Sequence, residues 1–176
     1  IVAAPRGHNG RQWKEYARGR IRRTSAKPRR LDTAPLWSKL PAGGDGAESW
    51  KSSGIVTLGE HWQTVVERRA DGGTLTMAQL ELPEPYREET GQYVLHPSLL
   101  DCATAIVLEL PEATGPGKGF LPFSYGRVLI HRALPERFTT VIRHKSEPDS
   151  QLPSFDIALV ADDGEVVADI TGFTVR

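Results

Sequence analysis

The stretch Tyr93-Val94-Leu95-His96-Pro97-Ser98-Leu99-Leu100-Asp101 decides how this chain is read. Pro97 suits the first position of a helix, where its missing N–H would have no partner in any case. The pattern from there predicts a helix over residues 98 to 109. Leu99, Leu100, Ala103, Ile106, Val107 and Leu110 make it apolar on nearly every face. Such a helix is buried, typically wrapped by a sheet. Pro111 ends it, and Gly115, Pro116, Gly117 and Gly119 mark a loop over residues 112 to 119.

Strand signals lie on both sides of the helix. Residues 62 to 69 and 74 to 82 flank Asp71-Gly72-Gly73, a hairpin signal because tight hairpins need the positive φ that glycine tolerates. In the second run Leu75, Met77, Leu80 and Leu82 alternate imperfectly, which suggests a bulge. Downstream, residues 125 to 132, 137 to 145, 154 to 161 and 165 to 175 read as strands, the last two joined by Asp162-Asp163-Gly164. Phe155, Ile157 and Leu159 alternate as one buried face requires. A short strand around Trp13, Tyr16 and Ala17 ends near Gly19. Residues 22 to 50 read as a connection with one helical turn at Leu36, Trp37 and Leu40. The outline is a hairpin, one buried helix and an antiparallel meander, an α+β layout.

Composition narrows the function classes. The 176 residues suit one domain, with 39% hydrophobic and 25% charged residues and zero net charge. No global field favours nucleic acid or membrane, and no apolar run approaches the roughly 20 residues of a membrane span. Cys102 is the only cysteine, so an internal disulfide is impossible and an intracellular, cytoplasmic setting is expected. The chain begins with Ile1, as a piece cut from a longer polypeptide would. Residues 11 to 30 carry Arg11, Lys14, Arg18, Arg20, Arg22, Arg23, Lys27, Arg29 and Arg30 against only Glu15. That run is either a solvated strand and linker or a contact for an acidic partner, such as a carrier protein or its phosphate-bearing arm.

The residues also carry a resemblance. Leu95-His96-Pro97-Ser98-Leu99-Leu100-Asp101 looks like the segment that opens the second helix of polyketide synthase dehydratases, double hotdog folds in which an antiparallel sheet wraps a long helix. Phe120-Leu121-Pro122-Phe123-Ser124-Tyr125 is similar to the family's Leu-Pro-Phe stretch. Gly54, Leu58-Gly59 and His61-Trp62 resemble the opening of its second hotdog. Gly172-Phe173-Thr174 resembles its closing strand, and Trp13 through Gly19 the tail of its first hotdog. The resemblance implies residues 1–52 as that tail and a linker, and residues 53–176 as the C-terminal hotdog, with the first hotdog missing.

What the resemblance implies chemically is removal of water from a β-hydroxyacyl group on the phosphopantetheine of an acyl carrier protein, with no cofactor of the domain's own. A histidine of the first hotdog takes the α-proton, and an aspartic acid of the second protonates the departing hydroxyl. Asp101 matches that acid by position, and burial beside the helix is expected to keep its carboxyl protonated. His96, Pro97, Leu121, Pro122 and Phe123 are the candidate substrate-lining positions, with core packing the plainer role for the last three and a structural role for His96. The plainer reading of Asp101 is a carboxylate at a helix N-terminus. Cys102 reads as a small hydrophobe. Ser98 has no identifiable base or oxyanion site, no cluster has metal spacing, and the glycines around Lys118 do not form a phosphate loop.

Departures from the family are specific. None of His8, His61, His96, His131 or His144 begins the His-x3-Gly-x4-Pro motif of the family's catalytic histidine. Gln or His usually follows the Asp by one helical turn, where it can orient the carboxyl; here that residue is Ala105. Leu58 replaces a frequent Tyr. The chain alone is therefore expected to be inactive. The alternatives are a non-catalytic remnant that spaces or dimerises synthase domains, since a single hotdog leaves an edge open to self-association, and a dimeric hotdog thioesterase.

Overall fold

Asp71 closes the first hairpin of the sheet, and its bonds show why the turn forms. One carboxylate oxygen accepts the backbone N–H groups of Gly73, Thr74 and Leu75 at 3.0, 2.8 and 2.9 Å, and the other accepts the Thr74 hydroxyl. The computed structural model describes residues 2–3, 14–15, 17–42, 58–109, 121–145 and 152–176. In chain order the elements are β1 (Val2–Ala3), β2 (Lys14–Glu15), α1 (Ala34–Lys39), a 3₁₀ turn Glu60–Trp62, β3 (Val65–Ala70), β4 (Leu75–Glu81), a 3₁₀ segment Glu84–Gln92, α2 (Pro97–Ala105) continued by a 3₁₀ turn Ile106–Glu109, β5 (Pro122–Ile130), β6 (Arg137–His144), β7 (Ser154–Val160) and β8 (Val166–Val175).

β1 pairs with β2, and the other strands form one antiparallel sheet in the order β3-β4-β6-β7-β8-β5. Helix α2 lies on one face of that sheet. Leu99, Cys102, Ala103 and Ile106 are fully buried there, in one cluster with Leu80, Phe138, Phe155, Ile157, Ile170 and Phe173. Burying each of those phenylalanines contributes roughly 1.5–3 kcal/mol. The helix wrapped by a sheet is the arrangement the sequence predicts, and Phe155, Ile157 and Leu159 of β7 all point to the helix side.

The connection read as a loop does more than connect. Leu31, Leu36, Trp37 and Leu40 pack over Met77, Val141, Ala158, Val160 and Val166 on the opposite face of the sheet. The helical turn expected at Leu36 and Trp37 is α1, with Leu40 just beyond its end. The sheet is thus covered on both faces, by α2 on one and by this segment on the other.

Strict alternation fails in β8 for a definable reason. Ile170 and Phe173 both join the helix-side core although they are three residues apart. Gly172, at φ +64°, takes the irregular step, and its N–H bonds the Asp156 carboxylate at 3.0 Å. Across from it, a Cβ on Gly126 of β5 would lie 2.8 Å from the Thr171 carbonyl oxygen. Only glycine permits this approach. The kink leaves Tyr125 on the α2 side, its ring 4.9 Å from that of Phe173.

Several boundaries differ from the sequence reading. Trp62 is not in a strand: Trp62 N–H bonds Gly59 O at 3.0 Å and Gln63 N–H bonds Glu60 O at 3.0 Å, which curls 60–62 into a turn before β3 begins at Val65. Helix α2 ends at Ala105 and tightens to a 3₁₀ turn rather than running as α-helix to 109. β5 starts at Pro122, earlier than expected. Ala17 to Gly19 form no strand. Trp13, Tyr16, Gly54 and the loop over 112–119 lie outside the described residues.

The Asp71 turn makes a prediction. Burial pushes its carboxyl up, but the bonds from the Leu75 N–H, the Thr74 hydroxyl and N–H, and the Gly73 N–H outweigh it and lower the pKa to about 2. A carboxyl depressed in the folded state contributes stability that is present above its unfolded value, roughly 4, and lost as pH falls through about 2. Discounted for solvent screening at an exposed turn, that contribution is about 1 kcal/mol. Asp71→Ala is expected to lower the unfolding free energy in urea by about 1 kcal/mol at pH 7, with the gap narrowing between about pH 4 and pH 2. A gap that stays constant across that window contradicts the assignment.

Candidate active site

Asp101 projects from the exposed side of α2, and one side chain holds it. The indole Nε1–H of Trp62 donates to Asp101 Oδ2 at 2.8 Å. The next residue reciprocates: the Cys102 thiol donates to the Trp62 carbonyl oxygen at 3.4 Å. Two successive positions of the helix therefore clamp the turn before β3. Asp101 lies beyond the first turn of α2, which begins at Pro97, so the helix-end reading loses its force. The burial expected around this carboxyl is also not supplied by this chain, because Asp101 is exposed.

Thr104 and Tyr125 complete the immediate surroundings. The Thr104 hydroxyl donates to the carbonyl oxygens of Leu100 and Asp101, both at 3.1 Å. The Tyr125 phenol is pushed above its usual value by burial, with the Asp101 charge adding to the shift and a hydrogen bond with Thr104 opposing it. Tyr125 therefore stays protonated at neutral pH, beside the carboxylate. Neither Trp62 nor Tyr125 stands out by residue type in the sequence. The available signals were their places in the two strings quoted around His61-Trp62 and Phe123-Ser124-Tyr125.

His96 is packed away from Asp101. Its ring is 3% exposed, Nδ1 meets Ser98 Oγ at 3.1 Å, and Nε2 meets Glu89 Oε2 at 3.3 Å. Glu89 also bonds His61 Nε2 at 3.2 Å, and these two histidines hold its carboxyl below the usual range. The Ser98–His96–Glu89 chain has the members of a nucleophilic triad. Ser98 is only 2% exposed, however, and cannot meet a substrate. The chain instead locks the start of α2. Pro97 is exposed at the first position of the helix. Among the described residues no group of three His, Cys, Asp or Glu could hold a metal ion, and no helix is long and apolar enough to cross a membrane.

Leu121, Pro122 and Phe123 open β5 and are exposed, Leu121 at 72%. The core role expected for them fails because β5 ends the sheet order and pairs on one side only, with β8. The described part of the basic run, from Arg18 to Arg30, is exposed. Lys27 and Arg29 line an open cleft of about 290 Å³ with Arg127, His131 and Asp169, where Arg29 pairs with Asp169 at 2.7 Å.

Cys102 is fully buried, and burial pushes its thiol up to about 11, with the Asp101 charge adding to the rise. At pH 8 that leaves about a hundredfold less thiolate than in an ordinary cysteine. Iodoacetamide is expected to label Cys102 at least about 100-fold more slowly in the native chain than in urea at that pH. Equal rates would mean that α2 is not packed on the sheet.

Comparison with known proteins agrees with this architecture. The model of the polyketide synthase dehydratase N-terminal domain family matches residues 38–176. Polyketide synthase PksM of Bacillus subtilis (strain 168) is 27% identical over 128 residues, which cover 69% of this chain and 3% of that protein. Among solved structures, a bifunctional dehydratase-cyclase domain in ambruticin biosynthesis superposes with a TM-score of 0.77 at 23% identity, covering 99% of this chain and 61% of that one. The dehydratase domain of a mycocerosic acid synthase-like polyketide synthase gives 0.77 at 21%, covering 96% and 61%. A trans-acyltransferase polyketide synthase enoyl-isomerase gives 0.74 at 18%, covering 94% and 63%. This chain therefore spans less than two thirds of each of them. The fold is the hotdog fold of dehydratase domains, and the chain belongs to the polyketide synthase dehydratase family.

Proposed function

We propose that residues 53–176 are the acid-bearing second hotdog of a polyketide synthase dehydratase, with residues 1–52 the tail of a first hotdog and its linker. In this reading Asp101 protonates the departing β-hydroxyl of an acyl thioester carried on phosphopantetheine. The observation that carries it is the placement of Asp101: on the open side of the wrapped helix, fixed by Trp62, beside an uncovered edge strand. Hydroxide is a poor leaving group, so a proton must reach the oxygen as the C–O bond breaks. A positioned acid contributes roughly 10²–10⁴-fold. The electron pair of the α-C–H bond forms the new double bond once a base has removed that proton, and water leaves.

The base comes from the first hotdog, and what this chain leaves open supports that division. Tyr125, Val128 and Ile130 of β5 are apolar and more than 40% exposed. An apolar strand whose outer edge has no partner among the described residues invites another chain or domain. A complementary half laid along β5 would cover these side chains and provide the burial that Asp101 lacks here. In this reading the isolated chain, without that half, is inactive. The exposed Lys27, Arg29 and Arg127 suit an acidic carrier protein, with neighbouring synthase domains as the other partners. A purely structural remnant is the second reading, favoured by Ala105 and by the missing histidine motif.

The test is mass spectrometry of a β-hydroxyacyl carrier protein incubated with the synthase polypeptide that contains this chain. Loss of one water is expected, slowed at least about 100-fold by Asp101→Asn, and none is expected from the isolated chain. Elimination that ignores Asp101→Asn contradicts the role given to Asp101. No elimination by the full polypeptide would favour the structural remnant.

A further inference from the structure

We infer that Trp62 is the positioning residue for Asp101, the group that fixes which carboxyl oxygen delivers the proton. The inference rests on Asp101 as the acid and goes beyond it by assigning the orientation of that acid to a second side chain.

A carboxyl on an exposed helix position can occupy several rotamers, and a proton donor works only from one of them. The helix itself does not make the choice. One turn on from Asp101 stands Ala105, which has no polar side-chain atom. Thr104 directs its hydroxyl to two backbone carbonyls. The indole of Trp62 bonds the carboxylate instead, and it is itself held at three points. Its backbone N–H bonds Gly59 O at 3.0 Å, its carbonyl oxygen accepts the Cys102 thiol, and its ring packs against the core around α2.

The chemistry of the donor sets the consequence. An indole N–H only donates, so Oδ2 must act as the acceptor. The carbonyl oxygen of a carboxylic acid is the better acceptor, so the proton that Asp101 delivers in this reading is carried on Oδ1, and Oδ1–H is the bond that breaks as the leaving hydroxyl becomes water. Phenylalanine at this position would keep the ring packing and lose the restraint.

The measurements are Trp62→Phe in the synthase polypeptide and the indole N–H resonance of Trp62 in this chain. Trp62→Phe is expected to lower kcat for water loss by about 10–100-fold with KM within twofold, since the interaction acts on the acid rather than on substrate binding. Adding Ala105→Gln, which sets an amide one turn from the carboxyl, is expected to restore part of that kcat. Asp101→Ala should move the Trp62 indole N–H resonance upfield, whereas Asp101→Asn, which keeps an acceptor oxygen, should leave it close to its original position. Wild-type kcat in Trp62→Phe, a loss that Ala105→Gln leaves unrestored, or an indole resonance indifferent to Asp101→Ala overturns the positioning role. If Asp101→Asn itself eliminates water at the wild-type rate, the acid assignment fails separately, and the indole measurement still reports whether the bond exists.

Discussion

Helix α2 is apolar on too much of its circumference to stand in water, and the rest of the molecule is arranged around that constraint. A sheet wraps the helix, so Leu99, Cys102, Ala103 and Ile106 vanish from the surface. The sheet covers most of the helix and leaves one stripe uncovered. Asp101 stands on that stripe, one turn beyond Pro97. Its location is a consequence of burying everything else. Loss of the core around α2 would therefore remove both the fold and the site, whereas loss of Asp101 should leave the fold intact.

Much of this was legible in the sequence. The Asp71-Gly72 and Asp163-Gly164 turns, with turn glycines at φ +84° and +82°, joined the strands that alternation predicted. The Pro97 start of the helix held because proline at a first helical position carries its signal locally. What was not legible depended on contacts distant in the chain. Trp62 looked like a strand residue because a large aromatic before Val65 and Val66 fits that pattern. Only the return of α2, about forty residues later, shows why a turn there is useful. Leu31, Leu36 and Trp37 lie in a stretch without a period, yet they cover Met77, Val141, Val160 and Val166 on the second face of the sheet. Leu121 and Phe123 are apolar and were read toward the interior, but position in the sheet order, which no local pattern encodes, leaves them at an open edge.

Among the described residues the candidate site is built from clamps. Trp62 and Cys102 tie the turn before β3 to the helix. Ser98, His96, Glu89 and His61 tie the helix start to the 3₁₀ segment that precedes it. His61 and His96 are both committed to Glu89. In the proposed reading the catalytic partner comes from outside these residues, across β5. The glycine pair at 126 and 172 prepares that strand. It keeps Tyr125 turned toward α2 while Arg127 lines the basic cleft on the opposite face, so one edge strand borders both Asp101 and the charged surface.

In the proposed reading, the outer edge of β5 is where the complementary half closes over Asp101. Amide hydrogen exchange read on β5 tests it most directly, comparing this chain with the synthase polypeptide that contains it. Amides of β5 facing away from β8 are expected to exchange at least about 100-fold more slowly in the full polypeptide, as newly paired strand amides do. Equal exchange in both would contradict it, because β5 would then remain an open edge and Asp101 would stay exposed.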